Sequence, residues 1–235
     1  YTDRLENAYV SDGHLHIVAK KEEEEYESQG VKRAYTSARL NSKHDFKYGT
    51  VKVRAKLPKK SGLWPAIWTL GSNINEVGVY DFGRSPEVPW RNAGEIDIME
   101  QYGTQNFVGS AMHGPSDDVI ELAAGDAIPW KTQELSTSVD DFHVYSMEWT
   151  ETTITFKVDD VAYKTVTAPT DKTNWPFDHK HFLLLNVAVE PVRSGSIQSD
   201  LVSGEMVVDY VRIYGETGDL NWSDEFGGVS ASDCP

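Results

Sequence analysis

The sequence predicts an all-β protein, a sandwich or jelly roll of two antiparallel sheets, from three observations. Most segments alternate apolar and polar residues with a period of two, as strands do when successive side chains point to opposite faces. Turn-forming groups such as Ser11-Asp12-Gly13 separate these segments at short intervals. No segment longer than about three turns carries the helical period. Many short strands at this spacing are typical of a sandwich or jelly roll.

Individual strands follow from the same patterns. In residues 51–57, Val, Val, Ala and Leu alternate with Lys, Arg and Lys, and residues 153–158 alternate in the same way. Residues 182–189 are almost wholly apolar, which predicts a strand that is covered on both faces. Residues 114–141 are polar and aperiodic, and we expect a loop there.

Composition limits the classes of function. The length of 235 residues suits one large domain. Asp and Glu number 37 against 22 Lys and Arg, so the formal charge of −15 repels nucleic acid and favours a neutral partner. No apolar run approaches the roughly 20 residues that cross a bilayer, and no basic-then-apolar leader is present, so we expect a mature chain without a membrane partner. Cys234 is the single cysteine, which excludes an internal disulfide and a Cys-rich metal site.

The segment that carries chemistry is residues 94–100, Gly-Glu-Ile-Asp-Ile-Met-Glu. In a regular strand Glu95 and Asp97 share one face, and Glu100 points away from them. A β-bulge at Ile98 and Met99 would return Glu100 to the same face, and bulges are frequent beside active sites. The alternative is a charged strand edge in solvent. Three large apolar residues between the acids argue instead for a strand that is buried on its far face.

Glycoside hydrolysis is a reaction that requires neighbouring acids of this kind. The reaction needs one acid to protonate the leaving oxygen and a second carboxylate to attack the sugar or activate water. In a retaining enzyme the two carboxyl groups lie about 5–5.5 Å apart. Like charges at such range raise one pKa, so that one Glu stays protonated while its partner is ionised.

Residues 94–100 resemble the signature of glycoside hydrolase family 16, and the extra Met resembles its laminarinase-like members more than its lichenases. The resemblance implies a jelly roll with a concave substrate groove. It also implies a secreted, endo-acting, retaining β-glucanase that hydrolyses β-1,3 or mixed-linkage β-1,3-1,4 bonds. Glu95 would be the nucleophile, Asp97 an auxiliary acid and Glu100 the general acid/base. Further segments that fit the family in order are residues 1–13, 46–58, 63–68, 142–149, 182–186 and 208–214.

Other groove residues follow from the same resemblance. Arg39 resembles an arginine that binds a sugar at the non-reducing side; a strand-surface charge is the alternative. Trp90 stands where laminarinase-like members place a sugar-stacking Trp, and core packing is the alternative. His113 resembles a histidine near the +1 sugar, the first sugar on the leaving-group side, with a structural role as the alternative. Trp64 is expected near the groove, whereas Trp68, four residues later on the same strand face, is expected to be structural.

A structural calcium ion on the convex face is frequent in the family. Asp209, with backbone oxygens near Gly13 and Glu225, resembles its ligand set, and hard oxygen ligands suit this ion. An empty site is the alternative. No cofactor is expected for catalysis, because the two Glu residues can perform the reaction without a metal.

The sequence also departs from the family. Where the family commonly has Gly-Gly after the strand of residues 182–189, this chain has Glu190-Pro191, which alters one rim of the groove. Residues 75–89 and 114–141 are not standard for the family, and such loops decide whether the groove is open for endo cleavage or blocked.

The chain order is the largest departure. Residues 220–226, Leu-Asn-Trp-Ser-Asp-Glu-Phe, resemble the motif that opens the family domain, and Tyr1 corresponds to a position inside the family's first loop region. We therefore expect a circular permutation of a single domain, residues 1–235, joined through residues 215–219. Residues 1–214 would form most of it, and residues 220–226 would pair beside residues 207–214 and bury Trp222 or Phe226. Residues 227–235 should be looser. A vestige of a following module is the alternative.

Three rival functions stay open. A non-catalytic glucan-binding jelly roll would lose one catalytic acid, and all three are present. A galactan hydrolase of the agarase or carrageenase type would want cationic groove residues for sulfate. A transglycosylase shares the glycosyl-enzyme intermediate. The expected partner is a β-glucan polysaccharide or oligosaccharide, and the expected state is a monomer.

Overall fold

The computed structural model describes residues 1–28, 30–74, 88–115, 131–135 and 137–227. Within these ranges it contains fifteen strands and one helix of four residues, which is too short to cross a bilayer. The all-β prediction is confirmed. In chain order the elements are β1 (Ala8–Ser11), β2 (His14–Ser28), β3 (Val31–Thr36), β4 (Arg39–Phe46), β5 (Gly49–Lys56), β6 (Leu63–Gly71), α1 (Trp90–Ala93), β7 (Glu95–Glu100), β8 (Phe107–His113), β9 (Lys131–Glu134), β10 (His143–Trp149), β11 (Thr153–Val158), β12 (Val161–Thr167), β13 (His181–Val189), β14 (Ser203–Tyr214) and β15 (Leu220–Asp224).

The strands form two antiparallel sheets. The larger sheet has the order β1-β2-β14-β5-β10-β11-β12, with β3 beside β2 and β15 beside β14. The smaller sheet has the order β4-β13-β6-β7-β8-β9. Apolar side chains from both sheets meet in one core cluster, in which Trp149, Tyr145, Phe156 and Phe177 are fully buried. The core therefore lies between the sheets and leaves the outer face of the smaller sheet for other uses.

The strands predicted from alternation are present at their expected places. β5 and β11 show strict alternation of buried and half-buried residues, and β13 is buried along seven of its nine residues. The loop predicted for residues 114–141 was wrong in part, because β9 pairs with β8 inside it. Backbone hydrogen bonds to an edge strand require no alternation of side chains, so this strand gave no sequence signal. Residues 116–130 lie outside the described residues.

β15 pairs with the end of β14 as predicted, with Ile213 opposite Trp222. Trp222 and Phe226 are half-buried and pack against the main core. The ring of Trp222 also stacks on His44 of the smaller sheet, with centroids 5.6 Å apart. Gly227 is exposed, and residues 228–235 lie outside the described residues. Residues 220–226 are thus a packed part of the sandwich.

Candidate active site

β7 contains the bulge that the sequence predicts. Across β6, Asp97 lies opposite Trp68 and Met99 lies opposite Ile67, so Ile98 is the additional residue. On the other side, Asp97 and Glu100 face Ala111 and Gly109 of β8. Ile98 and Met99 are both buried in the core between the sheets. The bulge therefore places both apolar side chains inside and returns Glu100 to the outer face beside Asp97.

A short helix sets the start of this strand. α1 ends at Gly94, which has φ of 82° and donates its N–H to Trp90 O. A Cβ at Gly94 would lie 2.9 Å from Pro176 Cγ, so no larger residue fits there. This turn brings the Trp90 indole over Glu95, and Trp90 Nε1 donates a hydrogen bond of 2.8 Å to Glu95 Oε2.

Glu95 lies at the more exposed end of the acid row. His113 is its neighbour across β8, with Nε2 at 3.7 Å from Glu95 Oε1. The rings of Trp90 and His113 are 5.6 Å apart, so both sequence-predicted residues lie beside this carboxylate. Hydrogen bonds from an indole favour the ionised form of a carboxyl group. The setting of Glu95 is that of a carboxylate base or nucleophile.

Asp97 is 3% exposed and stands between the other two acids. Burial is the largest effect on its carboxyl group and raises its pKa, and a hydrogen bond with Glu95 opposes that rise. His113 Nε2 lies 3.1 Å from Asp97 Oδ2. One ligating atom each from Glu95, Asp97 and His113 lie within 4.8 Å of one another. The three groups are close enough to exchange protons.

Glu100 is 6% exposed, and its pKa is raised well above the ordinary value. Burial is the main cause, and the negative charges of Asp97 and Glu95 add to it. The Tyr102 hydroxyl donates a hydrogen bond of 3.4 Å to Glu100 Oε1. A buried carboxyl group with a raised pKa keeps its proton near neutral pH, as a general acid must.

Two cavities flank the acid pair. The smaller, of 200 Å³, is lined by Tyr1, Trp64, Ala66, Trp68, Glu95, Asp97, Glu100, Asn186 and Ala188. The larger, of 770 Å³, is lined by Trp64, Trp90, Glu95, Glu100, Tyr102, Gln105, Phe107, Ala111, His113 and Arg193. Glu95 and Glu100 belong to both. An elongated ligand can therefore contact the outer face of the smaller sheet on both sides of the acids.

Trp68 was expected to be structural, and its packing agrees with this, although it also borders a cavity. It lines the smaller cavity together with Trp64, while its indole Nε1 donates a hydrogen bond of 2.7 Å to Asn186 Oδ1. It also packs against a small apolar cluster that includes Leu70 and Phe182. Residues four apart on a strand share a face, so both Trp side chains reach the same surface.

Arg39 is not among the residues that line either of these two cavities. It begins β4 opposite Asn186, and its positive charge opposes the burial that raises the pKa of Tyr1. The Asn186 amide donates a hydrogen bond of 3.2 Å to the Tyr1 hydroxyl. Arg39 thus lies beside two residues that line the smaller cavity, Tyr1 and Asn186.

Several cavity residues escaped the sequence analysis, and four of them are Tyr1, Asn186, Tyr102 and Arg193. Tyr102 follows the acid row by two residues, so its position was the one available signal. The other three come from the chain start and from the end of β13, far from residues 94–100 in sequence. Periodicity does not link such segments, and only the sheet order brings them together.

Of the residues predicted at the calcium site, Asp209 and Glu225 have carboxylates with cationic partners. Arg54 donates a hydrogen bond of 2.5 Å to Asp209 Oδ2, and His14 Nε2 lies 3.7 Å from the other oxygen. Both oxygens of Glu225 accept hydrogen bonds from Arg212, at 2.9 and 2.8 Å. Calcium takes oxygen ligands. Asp209 fits this role if it exchanges Arg54 for the ion, whereas Glu225 fits only through its backbone oxygen.

Comparisons with known proteins agree with this geometry. The family model for Glycosyl hydrolases family 16 matches residues 2–212. A beta-glucanase from Rhodothermus marinus is 36% identical over 90% of this chain and 71% of the relative. A Beta-1,3-glucan-binding protein from Penaeus monodon is 34% identical over 69% of this chain, which spans about half (48%) of that relative.

A solved structure extends the agreement to three dimensions. The catalytic domain of an endo-1,3-beta-glucanase (laminarinase) from Thermotoga petrophila RKU-1 is 36% identical, with a TM-score of 0.71. The match covers 91% of this chain and 81% of that structure. The acid row, the jelly-roll sheets and these matches lead to one conclusion: the chain belongs to glycoside hydrolase family 16.

Proposed function

We propose that this protein is an endo-acting, retaining β-glucanase that hydrolyses internal β-1,3 bonds of a glucan, with mixed-linkage β-1,3-1,4 glucan as a second substrate. The observation that carries the proposal is the bulge in β7, which gathers Glu95, Asp97 and Glu100 on the outer face of the smaller sheet. Cavities on both sides of these acids can hold sugars on both sides of the cleaved bond.

In the first step Glu95 acts as the nucleophile and Glu100 as the acid. The ionised Glu95 attacks the anomeric carbon, while Glu100 transfers its proton to the glycosidic oxygen, and the bond between carbon and leaving oxygen breaks. The burial of Glu100 supports its role, because the protonated form persists near neutral pH. The hydrogen bond from Trp90 supports the ionised form of Glu95.

In the second step the roles reverse. Glu100, now ionised, takes a proton from water, and the oxygen of that water attacks the anomeric carbon and releases Glu95. Two inversions give net retention. Asp97 is hydrogen-bonded to Glu95 and adjusts the charge on it as the covalent bond forms and breaks.

The test is analysis of the first-formed product and of substrate range. NMR of a fresh laminarin digest should show the β-anomer first, and an initial α-anomer would exclude the double displacement. Digests of laminarin, mixed-linkage glucan and agarose distinguish a glucanase from a galactan hydrolase. Binding of laminarin without any hydrolysis would favour the glucan-binding alternative, which one relative represents.

We further propose a structural calcium ion at Asp209, with backbone oxygens near Gly13 and Glu225. Asp209 lies at a register irregularity of β14, and the partial exposure of its side chain supports the site. Chelation should then lower the melting temperature, and Asp209→Asn should remove that sensitivity. An equal melting temperature with calcium and with chelator would exclude the ion.

The remaining proposals concern the setting of the molecule. We propose a secreted monomer, because a polysaccharide substrate lies outside the cell and one domain contains the whole acid row. We also propose that residues 220–226 are the family's first strand in permuted order. The pairing of β15 with β14 and the core contacts of Trp222 and Phe226 support this. Truncation after Gly215 should lower the melting temperature, and an unchanged value would exclude a permuted core strand.

A further inference from the structure

The segment after β13 carries an arginine to the wall of the larger cavity. The guanidinium carbon of Arg193 lies 5.2 Å from the centroid of the Trp64 ring, within cation–π range. Its side chain also hydrogen-bonds to the Tyr102 hydroxyl. Among the described residues that line the two cavities, Arg193 is the sole lysine or arginine. This residue stands in the rim where the sequence departs from its family.

The backbone of this segment is held at several points. The Glu190 carboxylate accepts hydrogen bonds of 2.9 and 2.8 Å from the N–H groups of Val192 and Arg193. Glu190 N donates to Gly62 O, and Gly62 N donates to Ser194 O, each at 2.9 Å. The turn is therefore tied back to the start of β6 on both sides of the arginine. Glu190 is a positioning residue for the Arg193 side chain.

The same turn fits closely against the segment after β7. A Cβ at Gly103 would lie 2.3 Å from Ser194 O, so the two backbones touch. Tyr102 precedes this contact and faces Arg193. The guanidinium thus has one fixed aromatic face beside it and one hydroxyl acceptor, on a backbone that does not need to reorganise to meet a ligand.

The donors of Arg193 are not consumed by an ion pair. No carboxylate within the described ranges pairs with it, although the protein carries 37 acidic residues. The residue is exposed to solvent. A guanidinium has five N–H donors in a planar fork, and Tyr102 takes only part of them. The remaining donors suit two neighbouring hydroxyl oxygens of a sugar.

The position of the larger cavity assigns the sugar that would bind. Arg39, which the family resemblance would place at the non-reducing side, lies near Tyr1 and opposite Asn186, two residues that line the smaller cavity. His113, expected near the +1 sugar, lines the larger one. Tyr102, which lines the larger cavity, also donates a hydrogen bond to Glu100, the proposed acid that protonates the leaving oxygen. On the proposed function, the larger cavity is therefore the leaving-group side of the cleaved bond.

We propose that Arg193, held by Glu190 and stacked on Trp64, binds hydroxyl groups of the neutral sugar on the leaving-group side and determines specificity there. The proposal rests on the glucanase function and deepens it. The alternative is that Arg193 has a structural role only and holds Trp64 and Tyr102 in place near Glu100.

Kinetics on two substrates separate these roles. Laminarin occupies both sides of the cleaved bond, whereas a nitrophenyl β-laminaritrioside has sugars on the nucleophile side alone. For Arg193→Met we expect kcat/KM on laminarin to fall about tenfold, as for the loss of charge-assisted hydrogen bonds, and to fall no more than twofold on the nitrophenyl substrate. Arg193→Lys keeps the charge without the fork and should recover only part of the loss. Equal losses on both substrates, or none on laminarin, would overturn the proposal.

Two further variants complete the design. Glu190→Ala should reproduce the substrate-dependent loss at smaller size, because the turn remains tied to Gly62. Arg33→Met removes an exposed arginine of β3 and serves as the matched charge control; it should leave both substrates unaffected.

Binding measurements keep the test independent of hydrolysis. In a Glu95→Ser background, calorimetry with laminarihexaose and laminaritriose should show that Arg193→Met weakens the hexaose about tenfold and the triose much less. An equal effect on both lengths contradicts a leaving-group subsite. If the wild-type protein binds laminarihexaose but does not cleave laminarin, the proposed hydrolase fails while the Arg193 subsite is still decided by this measurement.

Discussion

Asp97 and Glu100 on β7 and His181 on β13 are all buried in the smaller sheet, yet only the acids have a proposed role in catalysis. Burial favours the neutral form in each case: it raises the pKa of both carboxyl groups and lowers the pKa of His181 to about 3. His181 lies among aromatic rings, with Trp149 at 5.1 Å, and its Nδ1 is 2.9 Å from Thr69 Oγ1. Burial alone produces a neutral structural group.

The acids differ in what lies beside them. Asp97 and Glu100 have other ionisable groups within reach, and both border a cavity. Their protons can therefore pass to a substrate or to one another, whereas His181 contacts a threonine hydroxyl and aromatic rings. The contrast shows that a perturbed pKa indicates a functional site only when a cavity and a second titratable group accompany it.

The largest expected effect concerns the acid row itself. Glu95→Ser should lower laminarin hydrolysis by about 10⁴-fold or more, because the covalent step loses its nucleophile. Folding and oligosaccharide binding should remain, since Glu95 is the least buried of the three acids. Activity assays with melting curves and calorimetry test this. A large fall in the melting temperature would instead show that Glu95 is required for the stability of the fold.

Glu100→Ala separates the acid from the nucleophile. On natural glucans we expect a loss of about 10³-fold, within the range for general acid catalysis. Activated aryl glycosides, whose leaving groups need little protonation, should lose far less in the first step. Steady-state rates on both substrate types decide the matter, and equal losses would contradict the assigned roles.

The pH dependence of stability should differ in sign between the two regions. A carboxyl group with a raised folded pKa contributes full stability below its ordinary pKa of about 4 and loses that contribution as pH rises through the folded value. Asp97→Asn should therefore stabilise the protein at pH 8 by on the order of 1 kcal/mol and have little effect near pH 4. Denaturant unfolding at both pH values measures this, with exposed Asp3→Asn as control. A greater gain at pH 4 would reverse the argument.

His181 should show the opposite trend at smaller amplitude. Its lowered pKa means that its contribution is present above the ordinary value of about 6.5 and is lost as pH falls toward about 3. His181→Gln should flatten the stability curve between pH 6 and pH 4, whatever its packing cost at neutral pH. His179→Gln, an exposed neighbour, provides the control. Parallel slopes for wild type and His181→Gln would show that His181 does not bury its neutral form.

The strands and the acid row could be predicted because each obeys a local rule. The alternation of side chains along a strand places Glu95 and Asp97 on one face and requires one extra residue to bring Glu100 to that face. The bulge lies at the predicted residues, Ile98 and Met99. β9 could not be predicted, because its pairing with β8 rests on backbone groups that all sequences share. The alternation of residues along the sequence thus predicts single strands and the faces of their side chains, but not which strands pair.

The cavity walls were beyond such rules. Arg193 and Asn186 come from β13 and the turn after it, and no periodicity relates them to residues 94–100. Trp68 has the structural contacts that were expected, but the sequence did not predict that the same side chain also lines a cavity. Asp209 lies in β14 and Glu225 directly follows β15, and the pairing of each with an arginine depends on the register of the strands.

The bulge at Ile98 and Met99 also makes the site tolerant of a change in chain length. Asp97 and Glu100 face Ala111 and Gly109, which are two residues apart, the same step that joins neighbouring same-face positions in a regular strand. The additional residue therefore adds a side chain to the core face of the strand and none to its outer face. A single insertion normally inverts every later side chain of a strand. Here the insertion adds one buried apolar residue and leaves the spacing of the acids as it was. Deletion of Met99 should likewise keep the order of groove-facing acids, so that core volume and catalytic spacing can vary separately in evolution or design.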